Sequence, residues 1–255
     1  MTSQLFDISG KLALVTGSYR GLGNSLARGL ARAGARVVLN GRNAEGVEKE
    51  VRAFGEQGLE AFGYPFDATD EQQVTRQVER IEKEAGPIDI LVNNAGIQHR
   101  APLEDFPVDK WRQLLEANLT SAFIVAKAVA RGMIARRKGK IVNICSMQSE
   151  LGRATIAPYA ASKGGLKMLT QGMTVDWAKY NIQINGLGPG YFLSEMTRPL
   201  KEDKAFDAWI TGRTPAGRWG DPDELIGALL FLSSEASSFI NGQIIYVDGG
   251  ILAAI

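Results

Sequence analysis

Cysteine and histidine are nearly missing: the 255 residues include one of each, Cys145 and His99. A single thiol excludes a disulfide framework within the chain and fits a reducing compartment. A lone histidine has no metal-binding partner, so His99 reads as a surface or loop-packing residue and no metal is expected. Excess charge is missing too. The 29 lysines and arginines offset 28 acids to leave +1, which points away from nucleic acid and from an anionic membrane. No apolar run approaches the roughly 18–20 residues that a membrane span needs. The opening MTSQLFDISGK has no basic segment followed by an apolar one, so it does not read as a secretion leader. The expectation is a soluble, cytoplasmic protein that handles a small molecule.

Glycine, by contrast, is plentiful: 29 residues, dispersed, marking many tight turns. The chain is long enough for one large domain with a sizeable core, and no repeat or linker divides it, so a single domain over 1–255 is expected. Strand-like apolar runs cover 11–16, 35–40, 59–66, 88–92, 140–145, 182–187 and 243–247. Helical patterns lie between them: one after the first glycine turn, then 44–57, 71–85, a long helix over 108–137, 157–180 and 222–234. A loop with a short helix spans about 188–212. This alternation predicts an α/β protein, a doubly wound parallel sheet of about seven strands with helices on both faces. Ligands in such folds sit beyond the carboxyl ends of the strands. Gly17, Asp67, Asn93, Ser146 and Gly188 all fall at such ends and can converge on one crevice.

The first strand runs into Gly17-Ser-Tyr-Arg-Gly21-Leu-Gly23 and then a helix. Glycines there let backbone N–H groups approach a pyrophosphate at a helix N-terminus, where the dipole favours anions. The G-x-x-x-G-x-G spacing differs from the usual G-x-G-x-x-G, but the strand before and the helix after support a dinucleotide site. In NAD sites a carboxylate ends the second strand and accepts from the ribose. Here that place reads Asn40-Gly41-Arg42, and Arg20 lies inside the glycine turn. Two guanidinium groups suit a 2′-phosphate, so NADP (as NADPH) is the expected cofactor. Asp67 reads either as acceptor for the adenine amino group or as a cap or turn residue in DATD.

Ser146 follows the 140–145 strand, and Tyr159 and Lys163 lie four residues apart in the next helical pattern. At that spacing they share a face, and the stripe continues through Leu166, Thr170, Met173 and Trp177, so the face points inward. An ammonium beside a phenol favours the phenolate, and a free phenol titrates near ~10, too high for efficient proton exchange at neutral pH. The three groups therefore read as proton donor (Tyr159), tuner (Lys163) and oxyanion partner (Ser146). Asn118 falls in register with Trp111, Leu114, Leu115, Ala122 and Val125, a polar group on an inward face that must have a partner. It reads either as holder of a water that links Lys163 to solvent or as a structural amide at a backbone bend. Cys145 points away into the core and lacks a histidine base, so it is not a nucleophile candidate.

Thr16-Gly17-x-x-x-Gly21-x-Gly23, Asn93-Asn94-Ala95-Gly96, Asn118, Ser146, Tyr159, Lys163 and Pro189-Gly190 together resemble the short-chain dehydrogenase/reductase family over nearly the whole chain. The resemblance implies a single Rossmann domain, usually a homotetramer, and an Asn118–Ser146–Tyr159–Lys163 tetrad. It implies a dinucleotide held by Gly17, Ser18, Arg20, Gly21, Leu22, Gly23, Asn40, Arg42, Asp67, Ala68, Asn94, Ala95, Gly96, Tyr159, Lys163, Pro189 and Gly190. Two departures stand out: Tyr19 where a small residue is usual, and Gly188 where alanine is common before Pro-Gly.

Loops on the substrate side, including 143–152, 190–192 and 213–220, are similar to those of family members that act on sugar acids. A sugar acid needs a cation for its carboxylate and hydrogen bonds for its hydroxyls. Arg100 is the first candidate anchor and Arg153 the second, with Gln148, Ser149 and Tyr191 as further substrate residues. Residues 191–215 are expected to form a lid. Two other functions remain open: a 3-oxoacyl-thioester reductase with the same tetrad, and a non-catalytic nucleotide sensor. The polar QSELGR loop speaks against the first, and retention of both Tyr159 and Lys163 against the second. Apolar stripes on the long helices and the apolar tail 249–255 fit a homodimer or homotetramer, but also plain core.

Overall fold

The computed structural model describes residues 2–254; Met1 and Ile255 lie outside them. A short helix α1 (Thr2–Leu5) precedes β1 (Leu12–Val15). The chain then alternates α2 (Gly21–Arg32), β2 (Arg36–Leu39), α3 (Ala44–Gly55), β3 (Ala61–Gly63), α4 (Glu71–Glu84) and β4 (Ile88–Asn93). It continues with α5 (Val108–Leu115), α6 (Ser121–Arg136), β5 (Gly139–Ile144), α7 (Ala157–Trp177) and β6 (Ile182–Pro189), and ends with α8 (Arg198–Glu202), α9 (Lys204–Arg213), α10 (Ile226–Ser233) and β7 (Ile244–Val247). The seven strands form one sheet in the order β3-β2-β1-β4-β5-β6-β7, every pairing parallel. The order reverses between β1 and β4, which opens a crevice there.

Period-two alternation sorts the strand side chains between two cores. Ala13, Val15, Val37, Leu39, Ile90 and Val142 pack on one face against Leu26, Leu30, Phe54, Leu229 and Leu232 of α2, α3 and α10. Leu12, Leu14, Val38, Leu91, Ile141 and Ile184 pack on the other against Val74, Ile81, Val125, Val129 and Met173 of α4, α6 and α7. The register between β1 and β4 shifts at Leu12/Ala13, because β4 carries one extra residue, Asp89. The Leu12 N–H, displaced from the ladder, donates to Asp89 Oδ2 at 3.1 Å.

Two expectations are corrected. The helix expected over 108–137 is broken by a wider π turn at Glu116–Thr120. Leu114, Asn118, Ala122 and Val125 are buried as expected, while Trp111, near the start of α5, is exposed and off the inward face. The strand expected over 59–66 contracts to Ala61–Gly63, although the Tyr64 and Phe66 N–H groups still donate to the Leu39 and Gly41 carbonyls beyond it. In the apolar tail, Ile251 is buried and Leu252 packs beside it in a small cluster with Met147, Ile210 and Trp219; Ile255 is not among the described residues. Among the described residues, no helix is long and apolar enough to cross a membrane.

Candidate active site

A cleft of about 930 Å³ opens at the carboxyl ends of the strands, lined by the glycine turn, Arg42, Asp67, Ala95, Ser146, Tyr159, Lys163, Pro189 and Gly190. Its floor is built by side chains that serve the backbone. Ser18 is fully buried and donates to the Val15 carbonyl at 2.7 Å while accepting the Asn40 N–H at 2.9 Å. Asn40 Oδ1 accepts the Gly17 N–H at 3.2 Å, and its Nδ2 donates to the Tyr64 and Phe66 carbonyls. Asn94 Nδ2 donates to the Thr16 and Gly17 carbonyls, and Thr16 Oγ1 accepts the N–H groups of Asn94 and Ala95. The polar side-chain atoms of Ser18 and Asn40 thus lock the turn in place, and Asn40 also lines the cleft. Thr16 is a member of this lock that the motif alone did not single out.

The turn fits a pyrophosphate. Gly17 and Gly21 have φ of +61° and +58°, where a side chain is strained. A Cβ on Gly23 would lie 2.3 Å from Asn94 Nδ2, whereas one on Gly21 would meet nothing within 4 Å. Helix α2 begins here without a side-chain cap, so its first N–H groups face the cleft and can receive an anion. At the far end, Arg20 Nη1 lies 3.9 Å from Glu195 and Arg42 Nη1 lies 3.8 Å from Asp67, both guanidiniums mostly exposed. Asp67 Oδ1 accepts from Thr69 N and Oγ1, which makes it a turn residue with one oxygen still directed at Arg42. The cap of α4 is Asp70 instead.

At the other end of the cleft stand the proton-transfer groups. Ser146 is buried at the end of β5, and its Oγ accepts the Gln148 N–H at 3.1 Å. Lys163 is buried on α7, and its Nζ donates to the Ile144 carbonyl at 2.6 Å, leaving two of three donors for other partners. Its Nζ lies 5.8 Å from the centre of the Tyr159 ring. Burial pushes the Tyr159 phenol up to about 12, opposed by the Ser146 hydroxyl and by the Arg100 guanidinium. Burial likewise pushes Lys163 down to about 8. Desolvation is the largest influence on the phenol, and the groups that oppose it are Ser146 and Arg100. Cys145 lies against Gly186 in a small apolar cluster, its thiol pushed up to about 11 by burial, which keeps it inert. His99 packs edge-on against Phe106 at 5.2 Å.

Asn118 sits in the π turn, and its side chain is fully engaged. Oδ1 accepts the Ile97 N–H at 2.8 Å, and Nδ2 donates to the Ile97 carbonyl and to Ser162 Oγ, both at 3.1 Å. Of the two alternatives, the amide at a bend matches this geometry. A second buried chain, Asn93 to Asn143 to Thr170, ties β4, β5 and α7 together behind the site.

Beside Tyr159 the substrate side carries unspent charge. Arg100 is lowered by burial and by repulsion from Arg153, and both Tyr191 and Tyr159 bear on it. Arg153 lies over the Phe206 ring at 5.0 Å, and its Nε is buried without a partner. Tyr191 packs edge-on against Trp219 at 5.5 Å. Gln148 is buried with Oε1 unpartnered. Ser149 is different: its hydroxyl donates to the Lys163 carbonyl at 2.9 Å and braces α7. Segment 191–215 carries α8 and α9 and shares an aromatic cluster of Tyr191, Phe206, Trp209 and Trp219, while Phe192 and Glu195 line the cleft.

Residues 11–205 match the short chain dehydrogenase family. The chain belongs to that family. It is 57% identical to the gluconate 5-dehydrogenase of Gluconobacter oxydans (strain 621H) over 251 residues, 98% of each chain. It is 51% identical to the 2-dehydro-3-deoxy-D-gluconate 5-dehydrogenase of Formosa agariphila over 257 residues, covering 100% of this chain and 97% of that one. The crystal structure of a gluconate 5-dehydrogenase from Burkholderia cenocepacia J2315 in complex with NADP and tartrate superposes with a TM-score of 0.98 at 55% identity, covering 100% of both chains.

Two departures of this short-chain dehydrogenase from the family pattern have packing explanations. The Tyr19 ring lies over the second strand's exit: a Cβ on Gly41 would come within 2.3 Å of it, and one on Gly46 within 2.9 Å. Gly188 pairs with Tyr246 across β6 and β7. A Cβ there would come within 2.4 Å of the Tyr246 ring, which reaches over to donate its hydroxyl to Glu150 Oε1 at 2.6 Å.

Proposed function

We propose that this short-chain dehydrogenase is an NADP(H)-dependent gluconate 5-dehydrogenase, moving a hydride between the nicotinamide and C5 of gluconate or 5-keto-D-gluconate. The observation that carries the reading is Arg153, whose Nε is buried without a partner, together with the Arg100 guanidinium, whose charge bears on Tyr159. An orphaned guanidinium nitrogen calls for an anion on the side of the proton donor, as a sugar carboxylate supplies. An acyl thioester would instead bring an apolar chain to this end. The relatives named above support the same substrate class.

Glycines 17, 21 and 23 with the start of α2 would hold the pyrophosphate, Arg20 and Arg42 the 2′-phosphate, and Lys163 the nicotinamide ribose. The cofactor supplies the hydride when bound. In reduction Tyr159 gives its proton to the C5 oxygen, and Ser146 donates a hydrogen bond to that oxygen as charge develops. In oxidation Tyr159 takes the proton back. Lys163 favours the phenolate and must overcome the desolvation that raises it. Asn118 keeps α5, α6 and the 93–97 turn in register behind these groups. Arg100 and Arg153 fix the carboxylate, which sets C5 against the reacting centre.

The test is a spectrophotometric assay with NADPH and with NADH against 5-keto-D-gluconate, 2-dehydro-3-deoxy-D-gluconate-derived 5-ketones and a 3-oxoacyl thioester. Turnover of 5-keto-D-gluconate with NADPH, preferred at least about tenfold over NADH, is expected from charge-assisted phosphate contacts. Preference for the 3-deoxy acid would move the substrate within the class, and preference for the thioester or for NADH would reject the reading. A cytoplasmic homo-oligomer with a lid at 191–215 completes it: Phe123, Met168 and Val175 stand exposed on α6 and α7, a basis for self-association. A monomer by sedimentation, or a 191–215 segment cleaved equally fast with and without NADPH, removes those parts.

A further inference from the structure

Lysine 140 lies at the edge of the sheet opposite the cleft, where β5 begins. It is only 5% exposed, and its Nζ has no hydrogen-bond partner. An ammonium carries three donors, and leaving them all unmet in the interior is costly. Lys140 lines a small pocket with Lys11, Lys138, Asp89, Gln183 and Glu235. The two carboxylates there are already engaged. Asp89 Oδ2 accepts the Leu12 N–H displaced by the extra residue in β4. Glu235 faces Lys11 at 3.8 Å and accepts from Ser238 Oγ at 2.7 Å. Three lysines against two acids leave one positive charge, and it falls on the group without a partner.

We propose that this pocket is an anion site that takes one chloride-sized ion against Lys140 Nζ, framed by Lys11 and Lys138. The space open to the centre of a water-sized particle is about 20 Å³, enough to seat a monatomic ion. Burial pushes Lys140 down to about 8, with Lys11 and Lys138 adding to it and Glu235 opposing; a bound anion offsets the repulsion from the two lysines. The site lies at the amino ends of β1, β4, β5 and β6, away from the cleft, so it acts on stability and leaves turnover alone. It stands independently of the activity proposed above.

The experiment has two arms on the full chain. Crystals soaked in sodium bromide should give one anomalous peak beside Lys140 Nζ. Thermal unfolding at constant ionic strength, exchanging methanesulfonate for chloride, should raise Tm by about 3–6 °C at tenfold over Kd. Lys140→Met should abolish both signals. Should that variant fail to fold, Lys138→Gln keeps the buried position and should weaken the chloride response severalfold with kcat unchanged. A pocket that holds only water in bromide-soaked crystals, or a chloride response identical in wild type and Lys138→Gln, overturns the proposal.

Discussion

The two ends of the cleft are built on opposite principles. At the glycine turn every polar side chain of the floor is spent on backbone: Ser18, Asn40, Asn94 and Thr16 are closed in on themselves. Beyond Ser146 and Tyr159 at the other end, Arg153 Nε and Gln148 Oε1 are buried and unmet, and the charge of Arg153 bears on Arg100. The first region presents a rigid backbone surface, and the second holds charge in reserve. A group that binds the same way in every turnover can be met by fixed N–H groups. A substrate that must be told from its isomers is met by side chains whose interactions are completed only on its arrival.

Substitutions at the two ends can break this contrast. The largest effect is expected at the unmet end. Tyr159→Phe should cost at least about 10²-fold in turnover, and a variant that keeps near wild-type kcat would remove the proton role. In wild type the phenol pushed to about 12 is protonated at neutral pH. Oxidation, which needs the phenolate, should therefore speed up as pH rises, and reduction should slow. Arg100→Ala should raise KM for 5-keto-D-gluconate by about 10–100-fold, the worth of a charge-assisted bond, with KM for NADPH unchanged. An unaltered sugar KM would leave Arg153 as the anchor. The smallest effect on turnover and the largest on stability belong to the closed end. Asn40→Ala strands three buried backbone groups and should lower stability by about 2–3 kcal/mol. Arg153→Met, which removes an unmet charge, should leave Tm level or raised. Equal Tm losses in the two variants would erase the distinction.

Much of this architecture is legible in the sequence. The seven strands, the switch-point crevice and the placement of Ser146, Tyr159 and Lys163 follow from local periodicity, which a chain displays in its own order. The π turn at Glu116–Thr120 is not legible, because it arises from a bond between Asn118 and the distant Ile97 backbone. The side chains of Ser18, Asn40 and Ser149 bond to backbone, and motif spacing carries no information on χ angles. The orphaned Lys140 gives no signal, because a lysine two residues after Lys138 in a strand looks like an edge charge; its burial depends on α10 and the Glu235 turn closing over it.

The Gly188–Tyr246 contact carries a consequence for inheritance. Alanine cannot replace Gly188 while a full aromatic ring rests against it, and Tyr246 cannot shrink without leaving Glu150, in the loop after Ser146, to Lys167 alone. A lineage that drifts at one position must pass through a compensating change at the other, so the two should be exchanged as a pair or not at all.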